Sequence, residues 1–149
     1  MRAIVQRVNS SSVKVEDKII GEIKRGFNVL LGISKEDTKE DTKYICDKIL
    51  GLRVFEDEND KLNLSIQDVE GELLVISQFT LYGDCRKGRR PNFMNAMGGE
   101  EANKLYEEVI EKLKESGLKV EFGEFGAHMV VDIINDGPVT IMLDSKKEF

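Results

Sequence analysis

The run EEANKLYEEVIEKLKE, from Glu100 to Glu115, sets Ala102, Leu105, Tyr106, Val109, Ile110 and Leu113 at the three- and four-residue spacing that lines one face of a helix. Glu and Lys fill the opposite face, and Gly117 stands where a helix-stopping C′ glycine belongs. A second stripe, Ile45, Ile49 and Leu52, follows Thr38 and Asp41, whose spacing resembles a capping box. Its outer face is Lys39, Glu40, Lys43 and Asp47. The rest of the apolar sequence comes in short strand-like runs: Ala3 to Val8, Ser12 to Glu16, Ile19 to Ile23 after an Asp17-Lys18 turn, and Phe27 to Ile33. Further strands are read at Arg53 to Phe55, Leu62 to Ile66, Leu73 to Tyr82, Lys119 to Glu124, Met129 to Ile134 and Val139 to Leu143. Two helices set among strands with short turns predict an α/β chain. The expected architecture is a single compact domain over residues 1–149, with a mostly antiparallel, barrel-like sheet and both main helices packed against it.

Composition agrees with one domain: 149 residues, 40% of them hydrophobic, are enough for one continuous core and too few for two ordinary ones. No apolar run is long enough for a bilayer-spanning helix, and the start Met1 to Val8 lacks the pattern of a signal peptide, so the cytoplasm is the expected location. The net charge of −6 argues against a broadly basic surface that coats nucleic acid. One local exception is the loop Arg86-Lys87-Gly88-Arg89-Arg90 before Pro91, which reads either as a solvated loop or as a phosphate contact. Cys46, in a helix, and Cys85, in a loop, offer neither a disulfide framework nor metal-ligand spacing.

Several chemistries have no material to work with. His128 is the one histidine, placed at the start of a strand, so any Ser-His-Asp or Cys-His site would have to be built on it. Zinc ligation by His and Cys is equally short of residues, and no glycine-rich nucleotide-binding motif is present. No cofactor and no metal are expected. What stands out is Ser77-Gln78-Phe79-Thr80 inside the apolar run Leu73 to Tyr82. Strand alternation sends Ser77 and Thr80 to opposite faces, so the two share a pocket only if the strand bulges. Partnering of neighbouring strands is the structural alternative for these polar groups. The second feature is Asn135-Asp136-Gly137-Pro138-Val139-Thr140, where Pro cannot donate to a ladder and Gly weakens a strand, although apolar residues stand on both sides.

Together, Ser77-Gln78-Phe79-Thr80-Leu81 and Asn135-Asp136-Gly137-Pro138-Val139-Thr140 resemble the two signature motifs of the D-aminoacyl-tRNA deacylases, the chirality-proofreading enzymes of translation. The resemblance runs the length of the chain, through Ile4-Val5-Gln6-Arg7-Val8, Asn63-Leu64, Arg90-Pro91-Asn92-Phe93 and Phe125-Gly126-Ala127-His128-Met129. It implies hydrolysis of the ester between a D-amino acid, or glycine, and the terminal ribose of tRNA. It also implies a homodimer with each active site at the subunit interface, a cis Gly137-Pro138 peptide entering the partner's pocket, Arg7 holding that dipeptide, and Phe125 and Met129 lining the adenosine end. In that frame Ser77, Gln78, Phe79 and Thr80 form the catalytic segment, and the partner is the acceptor end of aminoacyl-tRNA.

An ester is already activated, so hydrolysis needs chiefly a placed water and donors at the developing oxyanion. Backbone N–H groups around Phe79 and Thr80 are the expected donors, with the vicinal ribose hydroxyl assisting the water; covalent attack by Thr80 is the rival. Only about 5–6% of X-Pro bonds in folded proteins are cis, so a cis bond here would be a selected feature, its two carbonyl oxygens excluding an L side chain. The loop residues Arg86, Lys87, Arg89 and Arg90 are then candidate tRNA contacts. Two other classes stay open: a dimer that binds an aminoacyl end without cleaving it, and an editing domain for a mischarged L-amino acid.

Overall fold

The computed structural model describes residues 1–149 as two helices on one side of a strongly curved six-stranded sheet, with a small two-stranded sheet beside it. The elements in order are β1 (Arg2–Val15), β2 (Lys18–Ile23), β3 (Gly26–Gly32), α1 (Lys39–Gly51), β4 (Phe55–Glu56), β5 (Leu62–Leu64), β6 (Glu72–Ser77), a 3₁₀ turn (Phe79–Tyr82), α2 (Gly99–Lys114), β7 (Val120–Phe122) and β8 (Val130–Asp144). The expected α/β, barrel-like architecture is what forms.

β1 organises the sheet. Its first half lies between β3 and β8 and its second half between β2 and β8, all antiparallel. Two separate strands were expected there; Asn9 and Ser10, polar and exposed, mark a bend where the register slips and the ladder then resumes. The hairpin to β2 turns at Glu16 and Asp17, both at positive φ (49° and 64°), so the turn falls one residue earlier than Asp17-Lys18. Two positive-φ residues in a two-residue loop match the right-handed twist of the strands they join. The far side of the sheet is parallel: β3 pairs β6, and β6 pairs β7. Parallel neighbours need long crossovers, and here α1 and α2 are those crossovers.

Alternation divides the apolar residues between two cores. Phe27, Val29, Leu31, Leu73 and Val75 face the helices and meet Ile45, Ile49, Tyr106, Val109 and Leu113. The opposite faces send Val8, Val13, Ile23, Leu74 and Ile76 into the barrel interior. β2 curls over that interior: a Cβ on Gly21 would already touch the Phe122 carbonyl oxygen at 3.2 Å and Leu74 at 3.4 Å. α1 starts with the expected capping box, Thr38 N–H donating to Asp41 Oδ2 at 2.8 Å. Lys43 and Asp47 pair at 2.9 Å on its outer face. α2 ends at Lys114, and Gly117 (φ 83°) follows one position later than the C′ site assigned to it, two residues beyond the Glu115 cap. Cys46 is buried against the Val109 carbonyl, and burial pushes its thiol up to about 12; Cys85 is exposed.

Two more strand boundaries differ from expectation. Leu73 to Tyr82 is not one strand, because β6 stops at Ser77 and the chain coils into the 3₁₀ turn. Met129 to Leu143 is not two strands, because β8 runs unbroken from Val130 to Asp144. Both boundaries fall on the motifs singled out above.

Among the glycines Gly26 has the least room for a side chain, since a Cβ there would stand 1.8 Å from the Glu72 carbonyl oxygen. Gly26→Ala must force β3 and β6 apart, with an expected loss of at least about 3 kcal/mol in the urea unfolding free energy. Asp41 supplies a pH test. Burial alone would raise its pKa, but hydrogen bonds from Ser145, the Thr38 N–H and Lys146 outweigh burial and hold it well below its ordinary value of 3.8. With the folded pKa below the unfolded one, the unfolded chain takes up the proton first, so this stability is full at neutral pH and is lost on acidification. The urea midpoint should therefore fall between roughly pH 4 and pH 2, and fall less steeply in Asp41→Asn.

Candidate active site

The end of β6 opens onto a cleft of about 600 Å³ lined by Ser77, Gln78, Phe79, Phe125 and Met129, together with Phe93, Met97 and His128. Three segments far apart in sequence make it: the β6 end, the loop before α2, and the loop from β7 to β8. Tyr106 anchors the arrangement from beneath, its hydroxyl donating to the Val75 carbonyl at 2.8 Å while its ring lies 5.8 Å from that of Phe125. Burial holds the Tyr106 phenol well above its ordinary value, so it stays a donor. Gly123 admits Met129: a Cβ at 123 would lie 2.5 Å from the Met129 sulfur.

The local geometry at Ser77-Gln78-Phe79-Thr80 follows from the strand ending there. Gln78 N–H makes the last ladder bond, to the Leu31 carbonyl at 2.7 Å, and the turn's first internal bond runs from Leu81 N–H to the Gln78 carbonyl at 3.3 Å. The N–H groups of Phe79 and Thr80 precede that bond, so the turn itself has no acceptor for them. The coil does not bring Ser77 and Thr80 into one pocket: Ser77 lines the cleft and Thr80 does not, and Thr80 stands beside Gln78, whose side-chain N–H donates to its hydroxyl oxygen. Phe79 stays 55% exposed, with its ring edge-on to Phe93 at 5.0 Å.

Gly137 and Pro138 are not part of this cleft. In β8, residues 136–139 stand opposite Arg7 alone, because Val8 pairs with Asn135 and Gln6 with Thr140. The excess chain projects as a turn in which Gly137 and Pro138 are exposed, and their peptide bond is cis. Asn135 clips it shut: its side-chain oxygen accepts the Val139 N–H at 3.0 Å and its amide donates to the Val139 carbonyl at 3.2 Å. Gly137 is at φ 125°, and a Cβ there would collide with Val139 at 2.8 Å.

Arg7 lies beneath the turn, 4% exposed. Its Nε donates to the Asp136 carbonyl at 3.2 Å, and one terminal nitrogen donates to the Val54 carbonyl at 2.8 Å and to both Glu56 oxygens at 2.9 Å. Glu56 and Asp136 were not foreseen as neighbours of Arg7, and nothing in their local sequence marks them. Met97 of the cleft was not foreseen, and Phe93 entered only through the resemblance at Arg90-Pro91-Asn92-Phe93.

The basic loop splits in two. Arg86 is held by Asp84 at 2.7 and 2.9 Å, its charge compensated, and lines a separate polar groove. Lys87, Arg89 and Arg90 are exposed and have no ion-pair partner. His128 lies in the loop just before β8, exposed at the cleft wall, and not at the start of the strand. No helix is long and apolar enough to cross a membrane.

The family model described as D-Tyr-tRNA(Tyr) deacylase matches residues 4–144. Curated proteins named D-aminoacyl-tRNA deacylase are 74% identical in Clostridium beijerinckii and 71% identical in Clostridium perfringens strain SM101, each aligned over all of both chains. A solved structure titled c-Myc DNA Unwinding Element Binding Protein superposes with a TM-score of 0.91 at 47% identity, covering 97% of this chain and 98% of its own. Another, titled as a probable eukaryotic D-amino acid tRNA deacylase, has a TM-score of 0.81 at 18% identity over 95% and 97% of the two chains and supports the fold.

Proposed function

Because this chain belongs to the D-Tyr-tRNA(Tyr) deacylase family, we propose that the cleft at the end of β6 hydrolyses the ester between a D-amino acid, or glycine, and the terminal ribose of tRNA. The chain is a carboxylic ester hydrolase, a D-aminoacyl-tRNA deacylase. Family membership sets aside a non-catalytic binding dimer, and the exposed Gly137-Pro138 turn counts against an editing domain for L-amino acids. The observation that carries the mechanism is the pair of N–H groups at Phe79, which lines the apolar cleft, and at Thr80, which follows it, both left without an internal acceptor by the 3₁₀ turn.

Those two donors hold the ester carbonyl oxygen and stabilise the negative charge that develops on it. A water attacks the carbonyl carbon, the bond to the ribose oxygen breaks, and the vicinal ribose hydroxyl passes the water's proton to the departing oxygen. Gln78 fixes the Thr80 hydroxyl by hydrogen bonding, and no hydrogen bond links either side chain to His128, so Thr80 has no base to make it a nucleophile. Phe125 and Met129, which line the same cleft, take the adenosine end of the substrate.

Chirality is read by the Gly137-Pro138 turn of a second copy. The turn is exposed, lies outside its own cleft, and is flanked on the same strand by Ile134 and Met142, 54% and 58% exposed. Water-facing apolar side chains around a projecting turn favour a homodimer in which each turn enters the partner's cleft. Its carbonyl oxygens then occupy the space an L side chain would need, while D and glycyl esters fit. Lys87, Arg89 and Arg90 meet acceptor-stem phosphates, and the enzyme works in the cytoplasm beside its tRNA substrates.

Deacylation of matched D- and L-tyrosyl-tRNA tests this directly: release from the D ester alone is expected, with Thr80→Ala within about tenfold of wild type and a 2′-deoxy terminal ribose slowing turnover by about a hundredfold or more. Equal release from both esters, or full turnover of the 2′-deoxy substrate, contradicts the reading.

A further inference from the structure

The β4–β5 hairpin is a two-stranded sheet of its own, not joined to the main sheet by a backbone ladder. Two features make it a rigid mount. Phe55 is fully buried and stacks on Phe27 at 5.1 Å, and Asp57 closes the hairpin turn by accepting from the N–H groups of Asn59 (2.8 Å) and Lys61 (3.1 Å) and from the Asn63 amide (3.2 Å). The carboxylate next to Phe55 is that of Glu56, and both of its oxygens lie 2.9 Å from Arg7. The other side of the same guanidinium holds the Asp136 carbonyl and carboxylate, each at 3.2 Å.

We propose that Glu56 is a positioning residue for chiral selection: by fixing the Arg7 guanidinium against the β4–β5 hairpin, it sets where the Gly137-Pro138 turn stands. This rests on the reading of that turn as the selectivity element. A guanidinium is planar with donors in a fixed fork, so an anchor on one edge determines the direction of the other. Glu56 provides that anchor from a frame packed in the core, whereas Asp136 belongs to the turn itself and moves with it. Without the Glu56 charge, the buried cation stays neutralised by Asp136, so the chain still folds, but its terminal nitrogen keeps only the neutral Val54 carbonyl and the turn is held less firmly to the hairpin. Glu56 is partly solvated, which limits what its ion pair contributes to stability and leaves orientation as its main effect.

The experiment compares wild type, Glu56→Gln, Glu56→Asp and Pro138→Ala, measuring kcat/KM on D- and L-tyrosyl-tRNA together with Tm. Glu56→Gln is expected to shift the D-to-L ratio towards L by about tenfold or more, through gained L hydrolysis, with Tm lowered by no more than about 4 °C. Glu56→Asp, which keeps the charge and shortens its reach, should recover part of the ratio; if Glu56→Gln does not fold, Glu56→Asp carries the test with the same direction against wild type. An unchanged ratio overturns the proposal. So does a loss of D and L rates in parallel with Tm, which would make Glu56 merely structural. Pro138→Ala separates the two levels: an undiminished ratio there means the turn is not the filter, whereas a lost ratio there with an intact one in Glu56→Gln leaves the filter standing and removes Glu56 from it.

Discussion

Arg7 sits opposite residues 136–139 of β8, where every other part of the β1–β8 ladder matches its strands far more evenly. A cation at 4% exposure cannot be left unpaired without a cost of several kcal/mol, so the surplus chain cannot simply drift away. Its carbonyl at Asp136, the carbonyl of Val54 and the Glu56 carboxylate must converge on one guanidinium. That requirement ties the middle of β1, the β4–β5 hairpin and the projecting turn into one unit. The rest of the barrel supports it: Val5 and Val8, three residues apart, fall on opposite faces by ordinary alternation, Val5 towards the helices and Val8 into the barrel, so one strand serves both cores.

The Ser77-Gln78-Phe79-Thr80 segment depends on a different constraint, the length of β6. Its ladder with β3 ends at Leu31–Ser77, and the final bond is taken by the Gln78 N–H. Beyond it a strand would need a neighbour to accept further N–H groups. The 3₁₀ turn is the local alternative, and it begins with two donors it cannot use. Free backbone donors beside an apolar wall suit an ester oxyanion better than a side-chain acid would, because they carry no proton equilibrium of their own. The scarcity of histidine is therefore compatible with efficient deacylation.

Charge is distributed to match. The net −6 is spread over helix faces and turns, while three uncompensated cations remain together at Lys87, Arg89 and Arg90 on the loop that leads from the 3₁₀ turn towards the cleft's Phe93. Arg86, although adjacent, is neutralised by Asp84. A sequence count of four cations in this loop overstates its effective charge by one.

Much was legible from residues alone. The stripe from Ala102 to Leu113, the Thr38–Asp41 cap and the alternation of Leu73, Leu74, Val75 and Ile76 each follow from local periodicity, which a chain carries wherever it folds. The two motifs, too, were visible as polar or turn-forming residues that core packing does not explain. Where β6 stops, why β8 runs unbroken through Gly137-Pro138, and that β3, β6 and β7 lie parallel were not legible, because a strand's extent is set by the neighbour that accepts its hydrogen bonds. The grouping of Arg7, Glu56 and Asp136 belongs to the same class. Sequence determined which residues could form strands, helices and a special turn; only tertiary structure decided which distant partners would satisfy their charges and backbone groups, because those partners are selected by contact in space and leave no periodic trace along the chain.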